Sequence, residues 1–197
     1  MNRLYAVLYP LVWIFMRVFH PWRAVGADNV PEGAAVLCGN HTTLGDPVYV
    51  VCALGRRRQT HVMAKEEIMK WPVLGWILKK AGIIGIKRGK ADVAAMKESI
   101  RVLKKGERLL LFPEGTRVRE GETSAAHTGA AMFATRTNSP ILPIYIQPQK
   151  RLFRKTAVIF GQTYHPAYEG RKATPEDYQR IADELMERIR ALGRGEA

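Results

Sequence analysis

Beyond Gly26, short apolar runs alternate with segments of helical periodicity, and this alternation restricts the chain to few fold classes. Each run has the length of a β-strand and lies next to turn residues. The predicted strands are residues 34–38, 60–64, 83–87, 108–112, 140–146 and 157–160. Strands that alternate with helices are typical of an α/β domain. We therefore expect a mixed, mostly parallel sheet flanked by helices.

Two helices of this domain have a clear apolar period. Residues 91–105 carry Val93, Met96, Ile100 and Leu103, and residues 175–192 carry Tyr178, Ile181, Leu185 and Ile189. Gly106 is a suitable stop for the first helix, and Thr174 with Pro175 is a suitable start for the second. The chain has 197 residues and neither an internal repeat nor a long linker. We predict one domain over residues 26–197.

The N-terminus begins with an uninterrupted apolar run at residues 4–16, with Arg3 before it and Arg17 after it. As a helix the run would extend roughly 20 Å, short of the ~30 Å hydrocarbon core of a bilayer. Aromatic residues in and after it favour the membrane interface. We predict that residues 1–25 are a membrane-anchoring segment. A signal peptide, a true span and a buried N-terminal helix remain open as alternatives.

The composition indicates anionic partners. The chain has 31 basic and 18 acidic residues, giving a formal net charge of +13. Nucleic acid, an anionic phospholipid membrane and phosphorylated small molecules all fit this charge. The only cysteines, Cys38 and Cys52, lie in apolar segments without metal-ligand spacing, so we expect buried, reduced thiols and no metal site.

The stretch GNHTTLGDPVY, residues 39–49, contains a histidine five positions before an aspartate. Pro47 favours a helix that begins there with Asp46 as its cap, which leaves His41 in the preceding loop. The carboxylate of Asp46 would then orient the imidazole of His41 and stabilise its protonated form, as a general base requires. By spacing alone, a capping aspartate and an incidental loop histidine are the more common explanation of this pattern.

Two other predicted strands also end in polar residues. LLLFPEGTR ends in Glu114, Gly115, Thr116 and Arg117, and GIIGIKRG places Lys87 and Arg88 after an apolar run. Guanidinium groups match the geometry of a phosphate. Each turn taken singly is also compatible with ordinary solvent exposure, but carboxyl ends of parallel strands meet at one sheet edge. We therefore expect these residues to form one site.

Together these stretches resemble the 1-acyl-glycerol-3-phosphate acyltransferase family of membrane-associated glycerolipid enzymes. Asn40, His41 and Asp46 match its N-H-x-x-x-x-D motif, Arg88 its second motif and residues 112–117 its third. Residues 141–144 look like the fourth motif. The resemblance extends over roughly residues 25–165 and implies a glycerolipid-acyltransferase-like domain.

The resemblance implies that His41 deprotonates the free hydroxyl of lysophosphatidic acid, which attacks an acyl thioester, while Asp46 orients the imidazole. Acyl-CoA and acyl carrier protein are both possible donors. The resemblance assigns Arg88, Glu114, Gly115, Thr116 and Arg117 to acceptor binding. Lys65 adds a further positive charge or is a solvated lysine. The family resemblance also implies a peripheral enzyme at the cytoplasmic face of the membrane, with no bound cofactor.

The sequence departs from the family pattern at two places. Thr43 replaces a frequent serine and keeps a hydroxyl, whereas Ala126 and His127 replace an aromatic residue and a lysine before Gly129. Glycerol 3-phosphate or another lysophospholipid is an alternative acceptor. A nucleic-acid-binding module is a rival from another class, but it leaves the apolar N-terminus unexplained, so we expect no nucleic-acid partner. Residues 71–80 either face lipid, line an acyl-chain tunnel or form a buried helix.

Overall fold

The computed structural model describes residues 3–56, 60–87, 92–115 and 127–196. The main helices are α1 (Arg3–Phe19), α2 (Asp46–Leu54), α3 (Pro72–Lys80), α4 (Val93–Lys104), α5 (Gly129–Thr137) and α6 (Pro175–Arg194). The strands are β1 (Trp22–Val25), β2 (Ala35–Gly39), β3 (Thr60–Lys65), β4 (Ile84–Ile86), β5 (Arg108–Leu111), β6 (Ile141–Ile146) and β7 (Thr156–Phe160). Short 3₁₀ helices occupy Ala27–Asn29 and Glu66–Lys70.

The strands form one seven-stranded sheet in the order β1-β7-β6-β2-β5-β3-β4. The five strands from β6 to β4 are parallel to one another, whereas β7 runs antiparallel to β6 and β1 runs parallel to β7. Consequently β2, β5 and β6 end at the sheet edge where β1 and β7 begin. This edge carries the candidate site.

Helices cover both faces of the sheet. Side chains of α4, α5 and α6 build one core layer with alternate residues of the central strands, including Val36 and Leu109. Side chains of α1 and α2 build the opposite layer with Leu37, Leu110 and their neighbours. The nearly continuous apolar sequence of the central strands follows from burial on both faces.

The structure confirms the predicted α/β fold. All six predicted strands are present, and the helix predicted at 91–105 is observed as Val93–Lys104 within the described residues. The last helix begins with a full capping box at Thr174 and Asp177 and ends at Arg194, two residues beyond the prediction. Cys38 and Cys52 are free and buried, as expected.

The strand β1 is not among the strands predicted from the sequence. Residues 22–25 belong to the predicted anchoring segment, but they pair in register with β7, and Trp22 is buried. The edge of the Trp22 ring packs against Trp13, and the Arg17 guanidinium lies over it at 5.3 Å. The sheet therefore begins within the segment of residues 1–25.

The helix α1 has one buried side and one exposed side. Tyr9 and Met16 are buried, and the Tyr9 hydroxyl donates to the Cys52 carbonyl at 3.3 Å. The exposed apolar side chains are Val7, Leu11, Val12, Trp13, Ile14, Phe15, Val18 and Phe19. One side of the helix thus packs on the domain, and its other side is a continuous apolar surface.

Within the described part of the chain, the structure contains no helix that combines the length and apolar character required to span a bilayer.

The helix α3 covers Pro72–Lys80 of the segment 71–80. The predicted alternatives for this segment are lipid contact, an acyl-chain tunnel and a buried helix. Trp71, Val73 and Trp76 are 61%, 73% and 57% exposed, so the side of the segment that carries them is not buried. The alternatives in which these residues face lipid or an acyl chain stay predictions.

Candidate active site

The candidate site lies where β2, β5 and β6 end. The backbone delivers Asn40 and His41 after β2, residues 112–115 after β5, and residues 147–150 after β6. Because β2 is hydrogen-bonded to both β5 and β6, these three segments lie side by side. Polar side chains from distant parts of the sequence therefore meet at one edge.

Asn40 fixes the loop that carries the histidine. Its side-chain nitrogen donates to the Ile146 carbonyl at 2.9 Å, and its side-chain oxygen accepts from the Ile146 N–H at 2.7 Å. The amide thus extends the pairing of β2 with β6 by one further step. This explains physically why an asparagine precedes the histidine.

His41 and Asp46 form the predicted pair. His41 Nδ1 lies 3.0 Å from Asp46 Oδ2, and the two residues are 8% and 0% exposed. The imidazole stacks on Phe112 with ring centroids 4.3 Å apart. Among the described residues, Nε2 makes no hydrogen bond. The ring is therefore fixed on one side and free to exchange a proton on the other.

The predicted role of Asp46 as a helix cap is wrong. The helix begins at Asp46 itself, after Gly45, and no side chain caps its first turn. Instead the Asp46 carboxylate reaches back and accepts from the N–H groups of Thr42 and Thr43, each at 2.7 Å. These bonds close the loop around His41, so the carboxylate shapes the loop as well as orienting the imidazole.

Two further groups bind the other oxygen of this carboxylate. The Thr43 hydroxyl donates to Asp46 Oδ1 at 2.9 Å, and Lys150 Nζ lies 2.6 Å from the same oxygen. Burial alone raises the pKa of Asp46, but the hydrogen bonds from His41, Lys150 and Thr43 outweigh it and lower that pKa to about 2. Asp46 is therefore ionised at neutral pH.

Lys150 is a site residue that the sequence analysis missed. Its side chain is only 7% exposed and also donates to the Thr42 hydroxyl at 2.9 Å. In the sequence Lys150 stands beside Arg151 and close to Arg154 and Lys155, and nothing in this basic cluster distinguishes it as a site residue. Its position after a strand that ends at the same sheet edge was the one signal that pointed to the site.

Glu114 lies next to His41, and Gly115 lies against His127. Glu114 Oε2 accepts from the His41 N–H at 2.8 Å. Burial raises the pKa of Glu114, although that hydrogen bond acts in the opposite direction. Gly115 has a φ of 65°, and a Cβ at this position would collide with the His127 imidazole. The positive φ therefore favours glycine here, and its lack of a side chain leaves room for the imidazole.

The remaining predicted residues divide into two groups. Lys65 ends β3, is about half exposed, and lies 3.3 Å from the Glu67 carboxylate. The structure thus places Lys65 in a surface ion pair. Arg88, Thr116 and Arg117 lie outside the described residues. Among the residues that are described, no cluster of three or more His, Cys, Asp or Glu side chains is arranged to hold a metal ion.

The geometry supports proton abstraction from a hydroxyl group. The His41 imidazole can accept a proton at Nε2, and the adjacent Asp46 carboxylate stabilises the resulting cation at Nδ1. Lys150 keeps that carboxylate ionised and immobile. The site thus combines a base, an orienting group and a buried cation that fixes the orienting group.

The sequence of this chain is similar to those of known acyltransferases. The family model described as Acyltransferase matches residues 22–147. The chain is 31% identical over 123 residues to a chloroplastic 1-acyl-sn-glycerol-3-phosphate acyltransferase of Brassica napus, covering 60% of this chain and 35% of that protein. It is 30% identical over 139 residues to the 1-acyl-sn-glycerol-3-phosphate acyltransferase of Bacillus subtilis, covering 68% and 69% of the two chains.

A solved structure has the same fold. The crystal structure of a 1-acyl-sn-glycerophosphate acyltransferase from Thermotoga maritima superimposes with a TM-score of 0.71 at 22% identity. The match covers 98% of this chain and 81% of that chain. The chain spans between about a third and about a half of the first curated relatives' own lengths.

Proposed function

The chain belongs to the acyltransferase family, and from this premise we propose that it acylates a lysophospholipid. The proposed reaction transfers a fatty acyl group from an acyl thioester to the free sn-2 hydroxyl of 1-acyl-glycerol 3-phosphate, giving phosphatidic acid for phospholipid synthesis. The observation that carries this proposal is the buried His41–Asp46 pair, with Nδ1 of the imidazole 3.0 Å from the carboxylate.

The chemistry follows from the position of the imidazole. His41 Nε2 takes the proton of the acceptor hydroxyl while its oxygen attacks the thioester carbonyl carbon. The new C–O bond forms, the C–S bond breaks, and the imidazolium returns the proton to the departing thiolate. Asp46 stabilises the imidazolium throughout. Such general base catalysis contributes about 10² to 10⁴ in rate and needs no covalent acyl-enzyme.

The acceptor phosphate requires cationic partners. We assign this role to the Arg88 and Arg117 guanidiniums, together with Gly115, Thr116 and Lys65, because planar guanidiniums bind phosphate oxygens in pairs. We assign Glu114 to acceptor binding as well. Its carboxylate accepts from the backbone N–H of His41, so it lies beside the proposed base. Lys65 would have to leave its ion pair with Glu67 to reach a phosphate.

The acceptor and product are both membrane lipids. The proposed enzyme therefore works at the cytoplasmic face of the cell membrane, with the exposed apolar side of α1 in contact with an anionic bilayer. The net charge of +13 favours such a surface. The acyl donor is a water-soluble thioester, either acyl-CoA or acyl carrier protein.

One assay tests the proposed function. Purified protein is incubated with lysophosphatidic acid, glycerol 3-phosphate or lysophosphatidylcholine, each combined with an acyl-CoA or an acyl carrier protein thioester, and the products are read by mass spectrometry. We expect phosphatidic acid from lysophosphatidic acid with at least one donor. Exclusive acylation of glycerol 3-phosphate or of lysophosphatidylcholine would contradict the proposed acceptor. No acyl transfer with any pair would contradict the reaction class.

A further inference from the structure

The loop that follows β6 connects the candidate active site to the surface of α1. Lys150 Nζ lies 2.6 Å from Asp46 Oδ1 in the site. Immediately after it, residues 151–155 (RLFRK) are all exposed, and the chain then enters β7. We name residues 151–155 the docking loop. Its two apolar side chains, Leu152 and Phe153, are 59% and 66% exposed.

The docking loop lies against the C-terminal end of α1. The Phe153 N–H donates to the Phe19 carbonyl at 2.8 Å, and the rings of Phe153 and Phe19 are 5.8 Å apart. Phe15 continues the row, since its ring centroid lies 5.0 Å from that of Phe19. The apolar side of α1 and the tip of the docking loop therefore form one continuous surface.

Phe153 carries its exposed ring on a backbone conformation that is unfavourable for phenylalanine. Phe153 has a φ of 59°, in the left-handed region where a bulky residue is rare. The hydrogen bond to Phe19 holds it there. Glycine or asparagine would adopt this φ with less strain, so the presence of phenylalanine indicates a use for the ring.

The charges around this surface are basic. The docking loop carries Arg151, Arg154 and Lys155, and α1 contains arginines and no acidic residue. Apolar side chains ringed by arginine and lysine match an anionic phospholipid bilayer, in which rings enter the interface and cations meet lipid phosphates. A protein partner would need a complementary acidic surface around an apolar centre.

We infer that the docking loop, together with the exposed apolar side of α1, is a bilayer-binding surface that sets the active-site edge against anionic lipid. The strand directions support this placement, because β1 and β7 begin at the edge where β2, β5 and β6 end. The inference rests on one part of the proposed function, namely that the acceptor is a lipid whose free hydroxyl lies at the bilayer surface.

A fluorescent label at Phe153 tests this surface directly. Phe153→Cys is labelled with the polarity-sensitive dye NBD, since Cys38 and Cys52 are buried. Lys104→Cys, labelled in the same way, is the control, because Lys104 is also exposed and lies at the C-terminal end of α4, close to the start of β5 at the opposite edge of the sheet. The vesicles contain equal parts of phosphatidylcholine and phosphatidylglycerol.

We expect the label at residue 153 to shift to the blue and to brighten when vesicles are added, and the label at residue 104 to stay unchanged. The unlabelled variant Leu152→Gln/Phe153→Gln should partition to these vesicles at least about 10-fold more weakly than wild type, with the same unfolding midpoint. An unchanged emission at residue 153, while the protein sediments with vesicles, would overturn the inference. A blue shift that follows protein concentration without lipid would also overturn it, in favour of self-association.

The proposed function is read separately by the acyl-transfer assay. Lipid contact at residue 153 in a protein that transfers no acyl group would contradict the function and support the surface. Acyl transfer in a protein whose label never meets lipid would contradict the surface alone.

Discussion

Asp46 is bound by five groups, and each of them favours its charged form. His41, Thr42, Thr43 and Lys150 contribute a ring nitrogen, two backbone N–H groups, a hydroxyl and an ammonium within 3.0 Å. A fully buried carboxylate is otherwise costly. The catalytic orientation of His41 and the local stability of the loop therefore depend on the same side chain.

This dependence predicts a stability change with pH. The pKa of Asp46 is lowered from 3.8 to about 2, so its ionisation stabilises the fold above the unfolded pKa, and this contribution is lost as the pH falls from about 4 to about 2. The pH-dependent part amounts to about 2 kcal/mol at neutral pH. Asp46→Asn should remove it. Urea unfolding of both proteins between about pH 7 and about pH 3 measures the difference. A difference that stays constant below pH 4 would contradict the assignment.

Lys150 allows a second test at this scale. Lys150→Met removes the cation but keeps the length of the chain, so Asp46 loses its ion pair and the imidazole is held less firmly. We expect kcat to fall on the order of 10-fold, with small changes in KM. This loss is smaller than the rate factor of about 10² to 10⁴ that general base catalysis contributes, because the base itself remains. Lys150→Arg should restore part of kcat.

The matched control for this test is Lys104→Met, which changes an exposed lysine on α4. Steady-state kinetics with both substrates provide the measurement. A wild-type kcat in Lys150→Met would show that the ion pair does not contribute to turnover.

The residues of the site were predictable to different degrees. His41 and Asp46 stand close in sequence, and the family motif gave them roles, so both were identified. Lys150 lies 108 residues from Thr42, which it contacts, and only the order of strands brings the two together. Periodicity carries no information about which strands become neighbours. The sequence could therefore place Lys150 after a strand but could not place it beside Thr42 and Asp46.

At the scale of elements, the periodic segments were predictable and the short edge strand was not. Six strands were found because each is a short apolar run. β2, β5 and β6 are buried along nearly their whole length, whereas β3 and β7 alternate buried and half-buried residues. The strand β1 is only four residues long, with three of its residues exposed, so it lacks the buried apolar run that identifies the other strands. Its pairing with β7 depends on a tertiary contact.

Trp22 is the side chain that ties this strand to the core. We expect Trp22→Ala to lower the free energy of unfolding by about 3 kcal/mol, because a buried indole leaves a cavity and Arg17 and Trp13 lose their contacts. Trp76→Ala, at a residue 57% exposed, is the control and should cost less than about 1 kcal/mol. Denaturant unfolding monitored by circular dichroism gives both values. Equal effects would show that β1 contributes little to the fold.

At the scale of the whole molecule, the fold class was predictable and the strand order was not. Alternating strands and helices predicted a mostly parallel sheet, and five strands are indeed parallel to one another. At one end of the sheet, β1 and β7 run antiparallel to the other five strands. The direction of β7 is reversed because the chain between β6 and β7 is a short loop, which cannot form a crossover. That reversal places the starts of β1 and β7 beside the candidate site.

The basic charge and the apolar surface predict a mixed response of vesicle binding to salt. Raising KCl from low to high concentration should weaken binding to anionic vesicles only in part, because ions screen the arginines and lysines but leave apolar burial intact. Sedimentation of the protein with vesicles over a KCl series provides the measurement. Complete release by salt would show that binding is electrostatic alone, and the apolar side of α1 would then have no part in it.

The most direct test of the central claim is the turnover of His41→Ala with lysophosphatidic acid and the active thioester donor. The substitution removes the only proton acceptor that the mechanism uses, so we predict a fall in kcat of at least about 10², with the fold retained by circular dichroism. His165→Ala, which removes an exposed imidazole, is the control and should keep wild-type turnover. A folded His41→Ala protein with near-normal kcat would contradict general base catalysis by His41.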